Sequence, residues 1–273
     1  MINKIIGDAK KGFNFIIKNP KLLVPDILFL FAILIISLIF VYVSGILNII
    51  FSENFQESLR LFISNMQSLI RVIITLVIAA LLTFLTGIWV TAAKYELIKN
   101  ITANKKITLK EAFKNSKHYL TKILLIKIAT FILYLIPISI IILIINIFKN
   151  TMLTVILLIM LFILLVILSI SLMYKYPVLF LKNKNVKDVL LGSYSFFRKN
   201  IKYTFLLILT ALVVMIFIGS ISSALSLLIL LTQNIYFLFI ILVVIYAILR
   251  IIVNIIISVW VSTFIFISYK SKP

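Results

Sequence analysis

Long unbroken apolar stretches dominate the chain, and the polar residues are confined to short segments between them. Neither a period of two nor a period of 3.6 is needed to read these stretches, because their length alone decides. About 20 apolar residues at a rise of 1.5 Å cross a hydrocarbon layer of roughly 30 Å. Six runs reach that length, at 27–50, 69–93, 120–148, 151–174, 203–231 and 235–268. Lipid offers no partner for a backbone N–H or C=O, so each run is expected to be a helix. Lys149-Asn150 and Thr232-Gln233-Asn234 are the only residues between runs three and four and between runs five and six. Those pairs are expected to form tight helical hairpins. The run after Pro25 is too long for a signal-peptide core and lacks a small-x-small cleavage site, so it is read as a retained span.

Shorter segments carry a different pattern. Ile5/Ile6, Ala9, Phe13 and Ile16/Ile17 recur at helical spacing, with Lys10, Lys11, Asn14 and Lys18 opposite. Val186, Val189/Leu190, Ser193 and Phe196/Phe197 repeat the arrangement. These read as amphipathic helices lying in the membrane interface, serving either as elbows that feed the hairpins or as lipid-recognition elements. Phe55, Leu59, Phe62 and Met66 predict a similar helix between runs one and two.

The amphipathic segments also point to a repeat. Asp8-Ala9, Glu111-Ala112 and Asp188-Val189 are each followed, four positions after the acid, by Gly12, Asn115 or Gly192. The three stretches align without gaps and end at Lys18-Asn19, Thr121-Lys122 and Arg198-Lys199. Lys94-Tyr95, Lys175-Tyr176 and Tyr269-Lys270 close runs two, four and six. The expectation is one membrane domain, 1–273, built from three parallel units at about 1–95, 105–176 and 186–270. The predicted fold class is an all-α polytopic bundle of six transmembrane helices in three hairpin repeats, with interfacial amphipathic helices on the cytoplasmic side.

Composition sharpens this reading. Of 273 residues 64% are hydrophobic and 12% charged, too few charges to cover a soluble domain. The 27 Lys and Arg against 7 Asp and Glu give a net charge of +20. All but Arg60, Arg71, Lys149 and Arg250 fall at the chain ends, between Lys94 and Lys127, or between Lys175 and Lys202. Basic loops stay in the cytoplasm, so both termini are expected there, in a plasma-membrane protein. Tyr95, Tyr119, Tyr174, Tyr176, Tyr203 and Tyr269 sit where an aromatic interface belt is expected. The partners implied are membrane lipids, with anionic headgroups on the cytoplasmic face. No basic segment is long and free enough to dock nucleic acid.

Candidate chemistry is sparse. Arg250 lies deep in run six, where a charge costs roughly 2.5–3.5 kcal/mol. Tyr246, Asn254 and Ser258 share its helical face. This stripe either lines a hydrated or anionic-ligand site, or Arg250 snorkels and pairs with backbone carbonyls. Thr75, Ala79, Thr83, Gly87 and Thr91 form a small-residue stripe suited to close helix packing. Gly219, Ser220, Ser222, Ser223 and Ala224 predict a kink or close contact in run five, or a break lining a cavity. Asp26 is read as a helix N-cap. His118 is the only histidine and cysteine is absent, so no metal or cofactor is expected. No catalytic motif is present, and enzyme activity is disfavoured.

Tyr176-Pro177-Val178-Leu179, Asp188-Val189-Leu190-Leu191-Gly192-Ser193-Tyr194 and Arg198-Lys199-Asn200 resemble a prokaryotic membrane group. That group includes the membrane domain attached to some glycerophosphodiester phosphodiesterases, together with archaeal and bacterial six-span families. The resemblance implies membrane residence. It carries no phosphodiesterase activity, because the catalytic domain has no counterpart in this chain. A non-enzymatic component that interacts with lipids or partner proteins is expected first, a transporter or permease with a site near Arg250 second, and an intramembrane lipid enzyme last.

Overall fold

The computed structural model describes residues 1–272. The chain is an all-α membrane bundle in which six helical segments are long and apolar enough to span a bilayer. An interfacial helix, α1 (Ile2–Lys18), leads through a 3₁₀ turn at Pro20–Leu22 into α2 (Val24–Ser44). The first span is shorter than its apolar run. Gly45 adopts φ 82°, a left-handed conformation open to glycine at no steric cost, and ends the helix before a short α3 (Ile46–Ile50). The expected intervening helix is α4 (Phe55–Ser64), followed by α5 (Met66–Thr102).

The second unit comprises α6 (Leu109–Asn115), a 3₁₀ turn at Ser116–Tyr119, α7 (Leu120–Phe148), α8 (Thr151–Ser171) and α9 (Lys175–Lys182). Thr108 and Glu111 form a reciprocal capping box that starts α6. The α7–α8 turn works as its two residues suggest. Lys149 takes a left-handed conformation, and the Asn150 side chain accepts from the Leu153 amide at 3.1 Å. The third unit is α10 (Val186–Lys199), α11 (Ile201–Leu230) and α12 (Tyr236–Lys270).

Helix α5 contains 37 residues and so runs about 55 Å, well beyond a hydrocarbon layer. Its last turns carry polar residues yet are buried, with Leu97 and Ile98 fully enclosed. Tertiary packing, rather than lipid, keeps that segment helical. This is general: apart from Ser44 and Ile49, the buried residues lie at the end of the bundle that bears both termini, here called the terminal face. Towards the other face the spans separate, and their apolar side chains are exposed along most of their length.

Of the six tyrosines expected in an interface belt, five are instead core residues and Tyr176 is half-buried against them. Tyr174, Tyr203 and Tyr119 are at most 3% exposed, and Tyr95 and Tyr269 are buried. Tyr95 lies 4.8 Å from the Tyr176 ring, 5.7 Å from Phe180 and 6.4 Å from Phe266, centroid to centroid. Tyr269 packs on Tyr174 and Phe196. The ends of spans two, four and six thus meet ring against ring, which draws these aromatics away from the headgroups.

The interfacial helices dock in a cycle. Helix α6 packs on α5, α10 on α9, and α1 on α12. Both glycines of the aligned position lie at these contacts. A Cβ at Gly12 would stand 3.5 Å from the Phe264 backbone, and one at Gly192 would stand 3.2 Å from a Val178 methyl. The repeated acids have separate uses. Buried Asp8 accepts from the Tyr203 hydroxyl at 2.9 Å and from Ser271 Oγ at 3.0 Å. Glu111 caps α6, and Asp188 is exposed.

Candidate functional site

Helices α11 and α12 enclose a cleft of about 510 Å³ in the part of the bundle where the spans separate. Arg250, Tyr246 and Asn254 line it from α12, and Gly219, Ser222, Ser223 and Ser226 from α11. The arrangement follows from helical spacing. Residues 246, 250 and 254 stack on one face of α12, and 219, 222/223 and 226 on one face of α11. Small side chains on α11 leave the volume that the arginine enters. A Cβ at Gly219 would meet nothing within 4 Å, so this glycine borders open space and marks no close contact. Helix α11 is continuous through the serine cluster, with neither break nor internal proline.

Tyr246 and Ser222 tie the two helices together. Their hydroxyls are 2.9 Å apart, and the tyrosine hydroxyl also donates to the Ser222 carbonyl at 3.1 Å. Arg250 is exposed on the flank of the bundle and has no carboxylate partner among the described residues. The Trp260 indole donates to the Ala9 carbonyl of α1 at 3.1 Å, which fixes the level of the interfacial helix. Arg250 stands ten residues from that tryptophan, about 15 Å deeper, near the middle of a 30 Å layer. A second groove of about 300 Å³ lies next to the cleft, lined by Lys10, Phe13, Val214 and Trp260. Ile218 and Ile257 border both spaces.

Ser258 does not belong to this cleft, despite its place in the Arg250 stripe. It meets the Lys94 ammonium at 3.3 Å. Lys94 in turn contacts both carboxylate oxygens of Asp26, at 2.9 and 3.1 Å, and both side chains are largely enclosed. Asp26 is therefore an ion-pair partner within the first turn of α2, and no side chain caps that helix. Spans one, two and six are joined by this cluster. Lys94, which sequence reasoning placed among the basic loop residues and in the Lys-Tyr pattern that closes span two, is its centre.

The small-residue stripe of α5 divides. Thr75 and Ala79 face α2 across a narrow apolar space that Ile36 and Phe40 also line. The Thr75, Thr83 and Thr91 hydroxyls donate to the carbonyls four residues earlier, at 2.8, 2.8 and 2.6 Å. Gly87 is buried, with the Phe29 ring 3.4 Å and the Lys127 ammonium 3.5 Å from where its Cβ would stand. The His118 ring packs against Tyr119, and no cluster of three metal-ligating side chains occurs among the described residues.

No known family profile, curated protein or solved structure matches the chain. The functional reading therefore rests on the geometry of its own residues.

Proposed function

We propose that the protein is a non-enzymatic plasma-membrane component, with both termini cytoplasmic, that binds anionic membrane lipids or related amphiphiles in the α11–α12 cleft. The observation that carries this reading is Arg250, a mid-span cation without a counter-charge in a laterally open polar cleft. A guanidinium in hydrocarbon is costly, and an anionic group delivered from the lipid side supplies both charge and acceptors. Its neighbours Ser223 and Asn254 add donors for the remaining oxygens. The cleft volume is within the range of small-ligand sites. The cytoplasmic assignment is supported by the concentration of Lys and Arg on the terminal face.

Transport is the second reading, favoured by the position of the groove at Lys10 directly beside the cleft, with Ile218 and Ile257 between them. It adds movement of the bound anion to the same binding step.

Binding of oleate to the purified protein in neutral detergent tests the proposal. Arg250→Leu is expected to weaken oleate binding by about tenfold to a hundredfold, as loss of a charge-assisted contact does. Oleyl alcohol, which carries no charge, is expected to bind both proteins alike. Equal oleate affinity in the variant would remove Arg250 from the site. Flux of oleate across protein-loaded liposomes then separates transport from binding alone.

A further inference from the structure

A second cationic site lies between the first and second hairpins, separate from Arg250. Lys127 of α7 reaches across to α5, where its ammonium sits beside Gly87 and 5.4 Å from the Phe84 ring centroid. Lys175, the first residue of α9, donates to Thr130 Oγ1 at 3.3 Å. Thr130 follows Lys127 by three residues on α7, so this bond brings the Lys175 ammonium to the face of α7 from which Lys127 extends. Both lysines are half-buried, and neither has a carboxylate partner among the described residues.

Comparison with the first hairpin makes the missing charge specific. Lys94 and Lys175 occupy the same place in the Lys-Tyr pattern that ends spans two and four. Lys94 is neutralised by Asp26. In the register that aligns Asp8 with Glu111, Asp26 corresponds to Ala129, and the neighbouring Thr130 supplies a hydroxyl where the first hairpin has a carboxylate. In that register the second hairpin lacks the anion and carries an additional cation, Lys127, where the first has Val24. Two like charges held together away from water are unfavourable unless something negative joins them.

We propose that Lys127 and Lys175 clasp the phosphate of a membrane lipid that enters between α5 and α7. A phosphomonoester suits the pair best, since its charge approaches two and its oxygens accept from both ammonium groups. Thr130 orients Lys175; its own hydroxyl donates to the Ile126 carbonyl at 2.6 Å and accepts from the lysine. The surroundings favour a lipid over free phosphate. Phe84, an exposed apolar side chain, lies against the Lys127 ammonium and offers a surface for acyl chains. The level is right as well: Trp89, half a turn from Gly87, holds Phe113 of the interfacial helix α6 at 5.4 Å.

The test measures lipid retention by the purified full-length chain in mixed micelles of phosphatidylcholine with phosphatidic acid. Lys127→Gln/Lys175→Gln is expected to lower retention of phosphatidic acid by at least about tenfold. Lys127→Arg/Lys175→Arg is expected to keep it, and the glutamine pair to lower it by the same factor in an Arg250→Leu background, where the α11–α12 cleft contributes nothing. In neutral detergent without anionic lipid, the glutamine double variant is expected to melt no lower than the wild-type chain, because a repulsion has been removed. Equal retention by wild type and the glutamine variant, or a lower melting point of that variant in neutral detergent, would overturn the proposal. Inorganic phosphate raising the wild-type melting point as far as phosphatidic acid does would overturn the lipid as its source.

Discussion

Asp26 and Lys94 are 68 residues apart in the chain, yet their pairing decides how the first hairpin closes. The contact is largely sequestered, so removing one partner strands the other charge. Asp26→Asn is expected to destabilise the protein by about 3 kcal/mol, read as a fall in melting temperature in a fixed detergent. Asp26→Leu combined with Lys94→Leu should recover most of that loss, because no charge then remains buried. A double variant as unstable as the single one would show that the pair matters by shape and not by charge. The sequence offered no signal for this contact. Proline before Asp26 and a helix after it made a cap the simplest account, and Lys94 was one lysine among many. Arg250 was legible because an isolated cation inside an apolar run is rare in any membrane helix. Lys127 and Lys175 were not legible as a pair, because 48 residues separate them and each reads as one more lysine near the basic end of a run.

Among the elements, the junction of α8 and α9 shows how a predicted span can stop early. The apolar run continues to Tyr174, but the helix ends at Ser171 and resumes at Lys175. Pro177 has no amide hydrogen, so the regular ladder cannot pass through this turn. Ser193 of α10 compensates: its hydroxyl donates to the Ser171 carbonyl at 2.7 Å and accepts from the Tyr174 amide at 3.2 Å. Ser193→Ala leaves two buried backbone groups without partners and is expected to cost about 1–3 kcal/mol. Hydrogen exchange at the Tyr174 amide should accelerate with it; unchanged protection there would mean that another group replaces the serine. Helix count and hairpin turns were readable from apolar length, because hydrocarbon thickness is an external ruler. Helix ends were not, because they depend on which neighbour satisfies the backbone. The same reason explains why α5 outlasts its apolar run and why α2 stops short of Ile50.

For the whole molecule, a chain without cysteine makes sidedness directly testable. Single cysteines at Lys105 or Lys184 should resist an impermeant thiol reagent applied to intact cells, whereas one at Glu53 should react. The reverse pattern would invert the proposed orientation, and with it the leaflet assigned to the lysine site. The tyrosines show the limit of composition at this scale. Their positions along the chain fit a membrane interface, but only the assembled spans reveal that they face one another. The cyclic docking of the interfacial helices has a consequence for biosynthesis. Helix α1 leaves the ribosome first, but its seat on α12 is made last. Its buried face, with Ile5, Asp8 and Ile16, has no permanent partner until nearly the entire chain has been translated. Each new hairpin can settle against its predecessor as it is inserted, but the first segment waits for the final one, so completion of the ring is a checkpoint that a prematurely terminated chain fails.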